Sequence, residues 1–120
     1  MDSIGAAGEE RLTVRVYVAE DGTTPFRDWL ATLEMPIRAR IQARVLRFEL
    51  GNLGDHKSIG TGVWEARFFF GPGYRLYFGK ESRSTIILLL GGSKSSQRTD
   101  VRRARRFWRD YLEVNPHGKT

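Results

Sequence analysis

The chain is 120 residues long, has no cysteine and two histidines, and carries a net charge of +6 from 20 Lys and Arg against 14 Asp and Glu. That length suits one domain burying roughly two-thirds of the surface its unfolded chain exposes. The composition excludes a disulfide framework, a thiolate zinc site and a cysteine nucleophile, and leaves little for a His-rich metal centre; neither metal nor cofactor is expected. Met1–Glu10 lacks the basic start and apolar run of a signal peptide. The longest aliphatic run, Ile86–Leu90, falls far short of the ~18 residues of a membrane span. The expectation is a soluble, cytoplasmic protein.

Leu12–Val18 alternates strictly, with Leu12, Val14, Val16 and Val18 on one side and Thr13, Arg15 and Tyr17 on the other, the pattern of a half-buried strand. Asp21-Gly22 turns the chain, and Thr24-Pro25 reads as a helix N-cap and N1 proline opening a short helix through Leu33. Pro36 opens a second helix to about Leu50, stopped by Gly51. Its Ile37, Ile41, Val45 and Phe48 share one side, and Ala39, Ala43, Leu46 and Leu50 make a second apolar strip. The two apolar strips are as expected of a helix that touches both a sheet and its partner helix, and Arg40, Arg44 and Arg47 form a separate stripe.

Gly51–Gly62 is a glycine-rich loop with at most one short strand. Three strand-like runs follow, Val63–Phe70, Tyr74–Gly79 and Thr85–Leu90, the first two joined by the turn Gly71-Pro72-Gly73. Ile86–Leu90 is apolar on both faces and belongs inside the sheet. Beyond Gly91–Ser96 a last helix runs to about Val114, burying Val101, Ala104, Trp108 and Tyr111 and turning Arg102, Arg105, Arg106 and Arg109 outward. Residues 1–10 and 115–120 are expected to be disordered. The order β-α-α-β-β-β-α predicts one α+β domain over residues 1–120. Its antiparallel sheet carries the N-terminal helical pair on one face, with a C-terminal helix following.

Charge is unevenly distributed. Three arginines against seven acids give residues 1–36 a charge of −4, while 17 basic against 7 acidic groups give residues 37–120 a charge of +10. Sixteen of the 20 basic residues are arginine, whose planar fork suits phosphate and stacks on bases. A basic stretch of this size points to nucleic acid or an acidic protein as partner.

Burial sets the faces of the hairpin. With Phe69 opposite Arg75, one face collects Trp64, Ala66, Phe68, Phe70, Tyr74, Leu76 and Phe78, and the other Glu65, Arg67, Phe69, Arg75 and Tyr77. Arg67 and Arg75 are therefore expected on an open face, directed away from the helical pair. An ordinary cross-strand network around Glu65 accounts for them, and so does an RNA platform with charge for phosphate and rings for bases. Gly91-Gly92-Ser93-Lys94-Ser95-Ser96, between a strand and a helix, resembles a phosphate loop or is a polar turn capping the helix with Ser95 or Ser96. His56-Lys57 precedes the arginine strands. A solvated pair is one reading; if Lys57 reaches the cationic face, neighbouring positive charge would favour the neutral amine a base needs.

The stretches GNLGDHKSIGTGVWEARFFFGPGYRLYFG and ILLLGGSKSSQRTDVRRA resemble the RelE/ParE superfamily of toxins from bacterial type II toxin–antitoxin modules, in its phage-derived, HigB-related addiction-module-killer branch. The resemblance runs from about Thr13 to Tyr111. It is most specific over Gly51–Gln97, where G-N-x-G-D-x-K, G-V-x-E-x-R, F-G-P-G-Y-R-x-Y-F and L-L-x-G-G-x-K-x-x-Q occur in order. It implies a RelE-like fold and a growth-arresting toxin that cleaves messenger RNA, usually on the ribosome. By position, Arg67 falls on the family's phosphate-contacting arginine, Lys57 on the basic loop before it, Arg75 on the arginine of G-Y-R, and Lys94 on a basic residue after the last strand. The tyrosine that RelE-branch enzymes carry early in the last helix is replaced here, nearest at Asp100. The general base is thus left among Lys57, His56 and Tyr77.

The resemblance further implies a metal-free attack of a ribose 2′-OH on the adjacent phosphate. The partners implied are a small helix-turn-helix antitoxin encoded nearby, messenger RNA and the ribosome, with no membrane. Arg40, Arg44 and Arg47 of the second helix and Arg98, Arg102 and Arg106 of the last are the expected accessory RNA or ribosome contacts. A ParE-like inhibitor of DNA gyrase without nuclease activity is the alternative, and a member that only binds its antitoxin is a third.

Overall fold

A computed structural model describes residues 10–115, so the expectation about the termini falls outside the described residues except at Glu10 and Asn115. The elements are β1 (Thr13–Val16), α1 (Pro25–Ala31), α2 (Met35–Glu49), β2 (His56–Ser58), β3 (Val63–Arg67), β4 (Arg75–Lys80), β5 (Thr85–Gly92) and α3 (Gln97–Val114), with a 3-10 turn at Lys94–Ser96 before α3. The fold is α+β. No helix among the described residues is long and apolar enough to cross a membrane.

The five strands lie in the order β1-β5-β4-β3-β2. The last four form an antiparallel meander, but β1 runs parallel to β5, pairing Val14 with Ile86 and Val16 with Leu88. The sheet is therefore mixed, not antiparallel as expected. The meander leaves one edge of the apolar β5 free. The chain covers that edge with β1 and crosses one face through α1 and α2 before entering β2.

Each face of the sheet has its own helical layer. Phe26 and Leu30 of α1 and Ile41 and Phe48 of α2 pack on Ala66, Phe68, Leu76, Phe78, Ile86 and Leu88. On the other side Ala104 and Trp108 of α3 pack on Val63, Tyr77, Ile87, Leu89 and Leu90. Leu89 and Leu90 reach the same side because a bulge pairs Tyr77 with Leu90 and Phe78 with Leu88, leaving Leu89 without a partner strand residue. The Trp108 ring lies where a side chain on Gly79 would stand, and the Trp29 ring does the same at Gly91.

Three expectations are corrected. The hairpin pairs Arg67, not Phe69, with Arg75. That two-residue slip keeps every side chain on its expected face, because side chains alternate with period two. The face away from the helical pair is not open: α3 covers it except for a strip at one end of the strands. The second apolar strip of α2 meets no helix, and Leu46 and Leu50 are 61% and 50% exposed.

Candidate functional site

Strand register assembles the site. Lys57 pairs with Glu65, Glu65 with Tyr77 and Tyr77 with Leu90, forming one row across the α3-side face. Arg67, Arg75 and Gly92 form the next. Of the expected catalytic residues, Lys57, Arg67, Arg75 and Tyr77 thus share one face. Lys57 is exposed, Arg67 and Arg75 are half-buried, and Tyr77 is fully buried beneath α3. Lys94 is exposed in the 3-10 turn, where its N–H donates to Pro72 O at 3.4 Å, beside the hairpin turn that leads into Arg75.

His56 does not join them. It is one residue from Lys57 on a strand, so it faces the opposite side. Its ring packs 5.5 Å from that of Trp64 and 6.3 Å from that of Phe78, and its Nδ1 lies 2.8 Å from Gly54 O.

Beneath the cationic strip lies a buried polar cluster that composition alone did not single out. Gln97, the first residue of α3, donates through Nε2 to Glu65 Oε2 at 2.8 Å, tying the helix to β3. Glu65 and Asp100 are both buried, and Asp100 accepts a hydrogen bond from the Ser96 hydroxyl. Glu65 Oε1, the Tyr77 hydroxyl and Arg75 Nε are buried without a hydrogen-bond partner among the described residues. Burial, followed by the negative charges of Glu65 and Asp100, pushes the Tyr77 phenol above its ordinary range, while Arg75 pulls the other way. Tyr77 is therefore a hydroxyl that holds its proton.

The glycines of Gly91–Ser96 do not form a loop. Gly91 and Gly92 are strand residues, and a Cβ on Gly92 would overlap the Asp100 carboxylate. Their smallness serves packing. The expected cap of the last helix by Ser95 or Ser96 is not made by either side chain: Ser96 reaches back to accept from Ser93 N–H at 3.2 Å, closing a capping box on the 3-10 turn that precedes α3.

Arg44, expected at an RNA surface, is buried. Its guanidinium donates to Leu53 O at 3.3 and 3.1 Å, to Asp55 O at 2.9 Å and to Arg67 O at 2.8 Å. Burial first, and neighbouring Arg47 second, pull its pKa down, with Asp55 opposing. The loop after α2 folds back over this position, which helical periodicity cannot show. Arg40 and Arg47 of the same stripe remain exposed, and Arg40 lies 3.7 Å over the Phe70 ring. Together with Asp55, Arg67 and Phe69 they line a groove of about 370 Å³ between α2 and the end of β3. Arg67 Nε donates to Asp55 Oδ2 at 2.9 Å, a pairing that sequence reasoning missed although Asp55 stands in the G-D-x-K motif. Arg98, Arg102 and Arg106 are exposed along α3, Arg98 next to Gln97 and Arg106 about two turns further on.

Among the described residues no group of three or more His, Cys, Asp or Glu could hold a metal ion. Arg67, paired with Asp55, and Arg75 bring positive charge to one end of the sheet, with an amine, Lys57, on the same face and Lys94 beside the hairpin turn.

These features define an α+β protein with a mixed five-stranded sheet between two helical layers and a cationic strip at one end of its strands. No protein-family model matches the chain. It is 40% identical over 84 residues to an uncharacterized protein of Haemophilus influenzae, in an alignment covering 69% of this chain and 85% of that protein. The chain belongs to the same family as that protein.

Proposed function

We propose that the protein is a RelE-like toxin of a bacterial type II toxin–antitoxin system and an endoribonuclease that cleaves messenger RNA. The observation that carries this reading is the adjacency of the two cross-strand rows, which set Lys57, Arg67 and Arg75 on one accessible strip with Lys94 beside it. These are the residues that the family resemblance marks.

In the reaction a base removes the proton of a ribose 2′-OH and the freed oxygen attacks the adjacent phosphorus. The bond to the 5′-oxygen breaks, and that oxygen takes up a proton. Arg67, Arg75 and Lys94 stabilise the charge that accumulates on the phosphate. Preorganised donors of this kind are often the largest catalytic contribution, and losing one typically costs ~10²–10³ in rate. His56 is on the wrong face and Tyr77 is sealed under α3, so Lys57 is the base in this mechanism.

The partners in this reading are an adjacent-gene antitoxin, whose acidic side chains would silence the cationic strip, and the ribosome, met through the arginines of α3 in a salt-sensitive association. The test is growth arrest on induction without the antitoxin. Arg67→Ala should abolish arrest while its circular dichroism and unfolding midpoint stay close to those of the parent. A folded Arg67→Ala protein that still arrests growth would overturn the assignment.

A further inference from the structure

We propose that the groove between α2 and the end of β3 is a subsite for one unstacked nucleotide of a single-stranded RNA, with Phe69 as the plate for the base and Arg40 and Arg47 as the phosphate contacts. The inference rests on the RNA-directed reading above and extends substrate contact beyond the phosphate that reacts.

Phe69 is 79% exposed, just past the last residue of β3, whereas its neighbours Phe68 and Phe70 pack inward against the α2-side core. The Arg67 guanidinium lies 5.8 Å from its ring centroid, and the next ring, Phe70, already carries Arg40 at 3.7 Å. An exposed ring among guanidinium groups is the combination that holds unpaired bases and their backbone, since every base offers a π-face and every linkage a charge.

The charge balance in the groove favours an anion. Asp55 is the one carboxylate among the lining residues, and Arg67 already neutralises it at 2.9 Å. Arg44 is committed to backbone carbonyls. Arg40 and Arg47 are left exposed. The volume, about 370 Å³, is at the small end of ligand clefts, which run from about 300 to 1,000 Å³, and suits one nucleotide rather than a folded element. Arg67 belongs to both places, lining the groove and standing opposite Arg75 in the row that would hold the reacting phosphate. A strand crossing that row continues into the groove. An acidic peptide would satisfy the arginines but has no need of the plate.

The experiment is fluorescence anisotropy with a labelled octamer of 2′-O-methyladenosine, which offers no 2′-OH and so reports binding without cleavage. The wild-type chain should bind it at low salt. Phe69→Ala should weaken binding about ten- to a hundredfold. Arg40→Ala with Arg47→Ala should also flatten the dependence of log affinity on log salt, by about 0.7 per lost phosphate contact. Wild-type affinity in Phe69→Ala would overturn the subsite while leaving the RNA reading intact, and no binding by the wild type would overturn both. Phe69-dependent binding without cleavage of ordinary RNA would keep the subsite and remove the nuclease. A labelled hexaglutamate peptide that binds more tightly than the octamer, and loses affinity in Phe69→Ala, would assign the groove to an acidic protein and overturn the proposal.

Discussion

The buried guanidinium of Arg44 donates a hydrogen bond to the backbone carbonyl of Arg67 at 2.8 Å, so one arginine fixes the strand end that presents the other. The same guanidinium holds the carbonyls of Leu53 and Asp55, joining α2, the loop after it and β3 at one point.

Arg44→Ala should therefore act as a folding mutation. It takes the side-chain donor from three carbonyls; Asp55 O keeps the Arg67 N–H at 3.0 Å, but those of Leu53 and Arg67 are orphaned, and each buried group so orphaned costs about 1–3 kcal/mol. A loss of about 2 kcal/mol or more in urea unfolding is expected. Arg44→Lys should recover only part of it, since an ammonium cannot reproduce the fork. An Arg44→Ala protein with unchanged stability and weakened RNA binding would restore Arg44 to the surface role its helical spacing suggests.

Gly92→Ala separates packing from anion binding at the turn before α3. Its Cβ would collide with the Asp100 carboxylate, forcing Ser96 and the first turn of the helix to move. Overpacking of this kind costs about 1–3 kcal/mol, which in a domain of this size lowers the melting temperature by several degrees. A variant that melts with the parent but no longer binds phosphate would favour the phosphate-loop reading.

Tyr77 gives the fold an alkaline limit. Its phenol pKa is raised above the ordinary value of 10.0, chiefly by burial. The stability contributed by keeping it neutral is complete below pH 10 and is lost as pH rises further, because only the unfolded chain then releases the proton. The slope is about 1.4 kcal/mol per pH unit for each such tyrosine. Tyr17, raised by burial and by its hydrogen bond to Asp110, behaves alike. Urea unfolding between pH 9 and 11.5 should show a shallower decline in Tyr77→Phe than in the parent. A phenolate absorbance from Tyr77 near pH 10 in the folded protein would contradict this account and return Tyr77 to the list of bases.

The sheet faces could be read because the hairpin alternates with period two, so even a register misplaced by two residues sends Arg67 and Arg75 to one side and Phe68 and Leu76 to the other. The parallel pairing of β1 could not, since nothing in Thr13–Val16 names its neighbour. Arg40, Arg44 and Arg47 have one helical spacing and different fates. Only the loop through Leu53–Asp55, folded back over α2, decides that Arg44 is inside. The burial of Glu65 and Asp100 follows only once α3 is seen to close over them. The separation of His56 from Lys57 follows from alternation once His56–Ser58 is known to be a strand, and a glycine-rich loop conceals that strand.

The proposed action of Lys57, Arg67 and Arg75 on RNA is tested by mapping transcript 5′ ends genome-wide minutes after the chain is induced without the proposed antitoxin. New 5′ ends within coding sequences are expected in cells making the wild-type chain and absent in cells making folded Arg67→Ala. Growth arrest with intact transcripts and broken DNA would contradict the claim and identify a gyrase poison instead.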